Sequence, residues 1–109
     1  MKSKLFIILL AMFILAGFYS GAGAADIKVG ALNDMTGATS DVGKDYALGI
    51  AEAIHYVNDN GGVNGKKIKL YQFDYGYRVP EDHTKYKLFK RLKSVGVVGW
   101  GPGDTEALS

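Results

Sequence analysis

The stretch NDNGGVNGKKIKL, residues 58–70, contains three glycines and three lysines. Glycine-rich loops ending in Gly-Lys often hold phosphate, and such loops have the order strand, G-x-x-x-x-G-K-[ST], helix. Here only three residues separate Gly61 from Gly65, and Lys67 stands where Ser or Thr would hold magnesium. The stretch also leads from a helical pattern into a strand pattern, and a helix C-terminus presents carbonyl groups that repel phosphate. It therefore predicts the end of a helix and the start of a strand, not a nucleotide site.

The residues before this stretch predict a strand and then an amphipathic helix. Residues 27–32, IKVGAL, are apolar and partly β-branched, as in a buried strand. Ser40 or Asp41 can cap a helix over about 42–58. Apolar residues recur there every three or four positions and predict one buried face, formed by Tyr46, Ala47, Ile50, Ala53, Ile54 and Val57.

The residues after the stretch continue the alternation of strand and helix. Residues 66–75 predict a second strand, with Ile68 and Leu70 on one face and Lys69, Tyr71 and Phe73 on the other. Pro80 suits the first turn of a second helix, which carries apolar residues inward at Tyr86, Leu88, Phe89 and Leu92. Residues 95–100 predict a third strand, and residues 101–109 predict a glycine loop and the first turn of a helix.

The predicted order is thus β-α-β-α-β-(α), with a helix between successive strands. Such alternation is typical of the α/β class, in which the strands run parallel. We therefore expect three layers, a parallel sheet with helices on both faces.

Residues 1–24 have the features of a cleaved signal peptide. Lys2 and Lys4 precede an apolar run over residues 5–18, and Ala22, Gly23 and Ala24 form a small-x-small cleavage site. The run is shorter than the roughly 20 residues of a membrane span. Cleavage after Ala24 or one residue later would leave residues 25–109 as one exported domain. The sequence has no cysteine, which excludes disulfides and a lipid-anchored lipoprotein.

Charge and residue types argue against several function classes. Residues 25–109 carry 11 basic and 11 acidic side chains, without a basic stripe interleaved with aromatics, so nucleic acid is not an expected partner. His55 and His83 lack metal-ligand spacing, and Ser40 lacks the context of a nucleophile. We predict no enzymatic activity, no metal and no cofactor. Asp74, at the end of the second strand, is either a polar site residue or a turn cap.

One further glycine loop follows the third strand. Residues 99–107, GWGPGDTEA, are similar to a dinucleotide-binding fingerprint, but the third glycine is missing and the first strand does not precede it. A loop that opens a helix can offer free backbone amides to an anion, including a carboxylate.

Three motifs together resemble the type I periplasmic binding proteins, and within them the branched-chain amino-acid (Leu/Ile/Val) substrate-binding branch of ABC importers. The first is T-G-x(5)-G at Thr36, Gly37 and Gly43. The second is I-N-x-x-G-G-V-N-G-K-x-I, with Val and Asn at 57–58, and the third is the glycine loop of residues 97–103. The resemblance extends over the whole chain after the signal peptide. It implies a partial N-terminal lobe of a two-lobed protein that closes on a small ligand, with residues 25–109 forming the beginning of that lobe.

The resemblance also implies where the ligand binds. Strands one and three lie side by side in the family's sheet, and ligands bind at the carboxyl ends of strands whose helices leave on opposite faces. The expected ligand-binding residues are Thr36, Ser40, Trp100, Gly103, Asp104 and Thr105. Amides and a hydroxyl near Gly103 and Thr105 would bind the α-carboxylate of an amino acid, and Asp104 would cap the helix. Trp100 would either contact an apolar ligand side chain or pack in the core.

The sequence therefore predicts a periplasmic solute-binding component of an ABC importer, with a small carboxylate ligand and a membrane permease as partners. Two alternatives remain open at this point. The fold also serves ligand-sensing receptors and regulators, and the chain could be a non-functional truncated reading frame whose third strand has an unpaired edge.

Overall fold

The computed structural model describes residues 24–109, so the predicted signal peptide lies outside the described residues except for Ala24. Three strands alternate with three helices in the predicted order. Their bounds are β1 Ile27–Asn33, α1 Ser40–Asp59, β2 Ile68–Asp74, α2 Val79–Leu92, β3 Gly96–Val98 and α3 Pro102–Leu108.

All three strands are parallel, in the order β2-β1-β3. The central strand β1 lies in register with β2 from Ile27 opposite Ile68, and with β3 at Gly30 opposite Val97. Parallel strands end at the same edge of a sheet, so the loops that follow all three strands meet at one edge.

Helices cover both faces of the sheet, which confirms the three-layer prediction. Gly30 faces α2 so closely that a built Cβ would lie 2.6 Å from the Phe89 ring. At the next register position, Ala31 lies opposite Gln72. The Gln72 side chain donates to the Ala47 carbonyl of α1 at 3.0 Å, so α1 covers the other face of the sheet. Helix α3 packs against α2 on the same side of the sheet.

The core lies between the sheet and α2. Its fully buried members are Leu32, Tyr75 and Phe89, and the half-buried apolar residues against them are Tyr71, Phe73, Val97, Trp100 and Leu108. Of the four α2 residues predicted to point inward, only Phe89 is fully buried. Its ring centre lies 5.3 Å from that of Phe73.

The opening stretch has the predicted role. Helix α1 ends at Asp59, and Gly61 and Gly62 have left-handed φ values of 97° and 73°. Asn64 and Gly65 then turn the chain back, with Val63 and Lys66 hydrogen-bonded to each other. The Asn58 side chain fixes the start of β2, since its amide donates to the Ile68 carbonyl and its oxygen accepts from the Ile68 amide.

Two predictions about α1 are wrong. The N-cap position is occupied by Thr39, whose side chain makes no capping hydrogen bond, and Ser40 and Asp41 already belong to the helix. Tyr46 and Ala53 are exposed rather than buried, with Tyr46 at 42%. Tyr46 packs instead against Trp100, at 5.2 Å between ring centres.

Strand β3 ends earlier than predicted, because a side chain binds the backbone beyond its last residue. The amide of Trp100 donates to Asp104 Oδ2 at 2.8 Å rather than continuing the ladder with β1. No helix within residues 24–109 is long and apolar enough to cross a membrane.

Candidate functional site

Three loops form the edge of the sheet where the strands end. They are the β1–α1 loop (34–39), the β2–α2 loop (75–78) and the β3–α3 loop (99–101). Helices α1 and α3 leave the neighbouring strands β1 and β3 on opposite faces, which makes this edge a topological switch point.

Asp34 organises the β1–α1 loop from inside. Its buried carboxylate accepts hydrogen bonds from the Gly37 amide at 2.5 Å, and from the amide and hydroxyl of Thr39 at 2.8 Å each. Burial alone would raise the pKa of Asp34, but the hydrogen bonds from Thr39, Gly37 and Thr36 lower it below its ordinary value. The loop is therefore built around an ionised carboxylate.

Asp74 joins the β1–α1 loop to the end of β2. Its carboxylate accepts from the Thr36 hydroxyl at 2.6 Å, the Met35 amide at 2.8 Å and the Gly76 amide at 3.0 Å. Burial opposes ionisation here too, yet these hydrogen bonds lower the pKa of Asp74. Of the two roles left open for Asp74, turn capping is confirmed.

Asp104 organises the β3–α3 loop in the same way. It is only 1% exposed, and it accepts from the amides of Trp100 at 2.8 Å and Gly101 at 2.9 Å. The Tyr75 hydroxyl donates to it at 2.9 Å. Burial, and then the bond to this carboxylate, raise the pKa of the Tyr75 hydroxyl. The predicted helix-capping role of Asp104 is confirmed, and its carboxylate faces into the protein.

These contacts connect the three loops into a closed cycle, which we call the loop ring. Asp74 joins the first loop to β2, and Tyr75 with Asp104 joins the second loop to the third. The indole N–H of Trp100 donates to the Thr39 hydroxyl at 2.8 Å and so joins the third loop to the first. The edge of the sheet is thus held in one arrangement by the protein's own groups.

The glycines of the T-G-x(5)-G motif permit the close approach of these loops. A Cβ built on Gly43 would lie 1.8 Å from the Asp34 carbonyl oxygen, and one on Gly37 would lie 2.3 Å from the Gly76 carbonyl oxygen. Neither position accommodates a larger residue without movement of the backbone.

The other predicted ligand-binding residues lie on or beside the loop ring. Thr36 is exposed, Ser40 is half-buried at the start of α1, and Trp100 and Gly103 are half-buried. Thr105 is exposed, and its hydroxyl donates to the Gly101 carbonyl at 3.0 Å. The Trp100–Thr39 bond brings the two predicted loops together.

The sequence interpretation missed the residues that build the loop ring from within. Asp34, Thr39 and Tyr75 were not singled out, although an aspartate at or just after a strand end recurs at Asp34 and Asp74. Tyr77 was also missed. It has a left-handed φ of 57° and is 41% exposed, and a Cβ built on Gly101 would lie 2.9 Å from its ring.

Among the described residues no group of three or more His, Cys, Asp or Glu side chains could hold a metal ion. His55 and His83 are both exposed, on different helices. Backbone amides, hydroxyls and aromatic rings are what the edge of the sheet offers.

Comparison with known proteins agrees with this architecture. A family model described as periplasmic binding protein matches residues 26–109. An amino acid binding protein of Pseudomonas aeruginosa is 38% identical over 77 residues, which cover 68% of this chain and 20% of that protein. The chain thus spans about a fifth of the length of the curated relatives it matches.

Solved structures show the same fold. The substrate-binding protein of an ABC transporter from Aeropyrum pernix superposes with a TM-score of 0.72 at 40% identity, covering 78% of this chain and 23% of that one. The branched-chain amino acid transporter substrate-binding protein of Streptococcus pneumoniae, solved with isoleucine, has a TM-score of 0.67 at 28% identity. That match covers 75% of this chain and 24% of the other.

Proposed function

Because this chain belongs to the periplasmic binding protein family, we propose that it forms part of one lobe of the solute-binding component of an ABC importer. Its ligand would be an amino acid, either branched-chain or a related small carboxylate, captured in the periplasm after export by the signal peptide. A membrane permease would receive the ligand. The names of the amino acid binding relative and of the isoleucine-bound structure support this ligand class. The family consists of solute-binding proteins rather than enzymes, so no chemical step is proposed.

The loop ring is the observation that carries the proposal. An edge that is already hydrogen-bonded in one arrangement loses little conformational entropy when a ligand binds. The ring also lies at the switch point of the sheet, where open α/β sheets bind their ligands.

Different residues would contact different parts of the ligand. The backbone near Gly103 and the hydroxyl of Thr105 would bind the α-carboxylate, with the exposed Thr105 hydroxyl exchanging its bond to Gly101 for one to the ligand. Thr36 and Ser40 would line the opposite side, and the half-buried Trp100 ring would contact an apolar side chain. Because Asp104 is buried, it would not contact the ligand. Its role would be to fix the position of the loop whose amides it binds.

Calorimetric titration of the full-length protein with L-leucine, L-isoleucine and L-valine tests this function. At least one should bind, and leucinamide should bind more weakly because it lacks the carboxylate. Thr105→Val should weaken binding about tenfold or more, as for a lost hydrogen bond to a charged group. Thr84→Val, an exposed threonine on α2, is the matched control and should bind as wild type. Equal affinity for leucine and leucinamide would contradict recognition of a carboxylate.

A further inference from the structure

Asp82 is the one acidic side chain in the described part of the chain that is buried without a hydrogen-bond partner. It lies in the first turn of α2 and has no exposed surface. Neither of its carboxylate oxygens has a partner within residues 24–109. An ionised carboxylate in such a place is strongly unfavourable, and a neutral carboxylic acid much less so.

The ionisable groups around Asp82 also affect the balance between its neutral and ionised forms. Asp104 of α3 and Tyr75 of the β2–α2 loop are near enough to interact with it electrostatically, and His83 follows it on α2. Burial and then the negative charge of Asp104 raise the pKa of Asp82, while His83 opposes them. The helix N-terminus also favours a negative charge, but this effect is modest compared with complete burial.

Asp104, whose charge favours the neutral form of Asp82, is also the residue that holds the β3–α3 loop. Asp104 binds the amides of Trp100 and Gly101 and the hydroxyl of Tyr75. A second negative charge beside Asp104 would repel it within a buried space. Asp82 is therefore electrostatically coupled to the residue that holds the β3–α3 loop.

We propose that Asp82 is a positioning residue of the loop ring: as a neutral acid it leaves Asp104 in place, and its ionisation loosens the β3–α3 loop. This places a proton-dependent element beneath the proposed ligand site. Only its effect on ligand affinity rests on the proposed function. The movement of the loop can be measured without any ligand.

Trp100 provides that measurement, because it is the chain's single tryptophan and its amide and indole N–H both belong to the loop ring. The test is a fluorescence titration on the wild type, Asp82→Asn and Glu81→Gln, from the ordinary aspartate pKa of 3.8 up to about pH 9. Glu81 is the matched control, since it lies in the same helical turn but is exposed. Asn keeps the shape of Asp82 and cannot ionise.

We expect the Trp100 emission of the wild type to shift as pH rises, and that of Glu81→Gln to shift in the same way. Asp82→Asn should show no such transition. Thermal unfolding should agree: a raised folded pKa means that the stability contributed by the neutral acid is lost as pH rises, so Asp82→Asn should gain several degrees in Tm over wild type at neutral to alkaline pH. Superimposable curves for wild type and Asp82→Asn would overturn the proposal.

A second measurement covers the case in which Asp82→Asn does not fold. The wild-type protein should retain the infrared band of a neutral carboxylic acid at pH values at which carboxyl groups of ordinary pKa have ionised. Absence of that band would equally overturn the proposal. If L-leucine binds, its affinity should fall with rising pH in the wild type and not in Asp82→Asn, tenfold for each pKa unit of coupling. A wild type that binds no amino acid would contradict the proposed function and leave the emission test unaffected.

Discussion

Three buried or half-buried aspartates, two at strand ends and one in the first turn of α3, accept hydrogen bonds from loop groups that would otherwise bond to water. Asp34, Asp74 and Asp104 each accept three hydrogen bonds from the loops around them. Bonds to an ionised acceptor are about twice as strong as neutral ones. Three irregular loops can therefore be as well ordered as the strands that lead into them.

Thr36→Val tests one of these bonds. The variant loses the 2.6 Å bond to Asp74, so the free energy of unfolding at pH 7 should fall by about 1 kcal/mol, with the partial exposure of the pair limiting the loss. A carboxylate with a lowered pKa stabilises the fold above its ordinary value of 3.8 and loses that effect as pH falls through the lowered value. The difference between variant and wild type should therefore disappear at strongly acid pH. Urea unfolding at several pH values measures this difference in unfolding free energy. Thr84→Val, which removes a hydroxyl that makes only a 3.4 Å contact, should change the unfolding free energy little.

Among the elements, helix α1 shows what periodicity could and could not predict. Its existence, its approximate ends and the burial of Ala47 followed from the spacing of apolar residues. The exposure of Tyr46 did not, because a 3.6-residue period defines a stripe but not the side of the stripe that meets the sheet. The contact of Tyr46 with Trp100 joins residues far apart in sequence. The sequence suggested Ser40 or Asp41 as the cap, whereas Thr39 takes that position, with its side chain bonded to Asp34 and Trp100.

Two glycines of α1 should respond oppositely to the same substitution. Gly43→Ala places a Cβ 1.8 Å from the Asp34 carbonyl oxygen, so the β1–α1 loop or the helix must move, at a cost of about 1–3 kcal/mol. Gly49→Ala meets nothing within 4 Å and should stabilise the helix by about 0.5–1 kcal/mol. Thermal and urea unfolding of the two variants distinguish a tertiary requirement for glycine from a helix-propensity effect. Equal destabilisation by both would refute the proposed contact.

On the scale of the whole molecule, the sequence predicted the class and layering of the fold but not how its parts are joined. The alternation of patterns predicted β-α-β-α-β-(α) and parallel strands, and the family resemblance implied the edge at which a ligand would bind. The loop ring was beyond sequence reasoning, since Tyr75 and Asp104 meet across 29 positions and Trp100 and Thr39 across 61. A local sequence pattern does not predict a contact between residues so far apart in the chain. Buried polar pairs of this kind depend on the finished fold.

The outer edge of β3 is one of two unpaired sheet edges in the described residues, the other being that of β2. Within residues 24–109 this edge pairs with no further strand, and a groove of about 380 Å³ beside it is bounded by α2, β3 and α3. Val95 lines the groove and is 75% exposed. An unpaired edge with apolar side chains is a template for other chains, and a lysine there discourages pairing.

Val95→Lys in the polypeptide of residues 25–109 should therefore slow aggregation, measured by light scattering on mild heating, with little change in Tm. The control is Val42→Lys, which adds the same charge at a position 65% exposed on α1, away from this edge. If association proceeds through β3, only the first variant should scatter less light. Equal protection by both would mean that net charge governs the aggregation, and the edge of β3 would then have no special part in it.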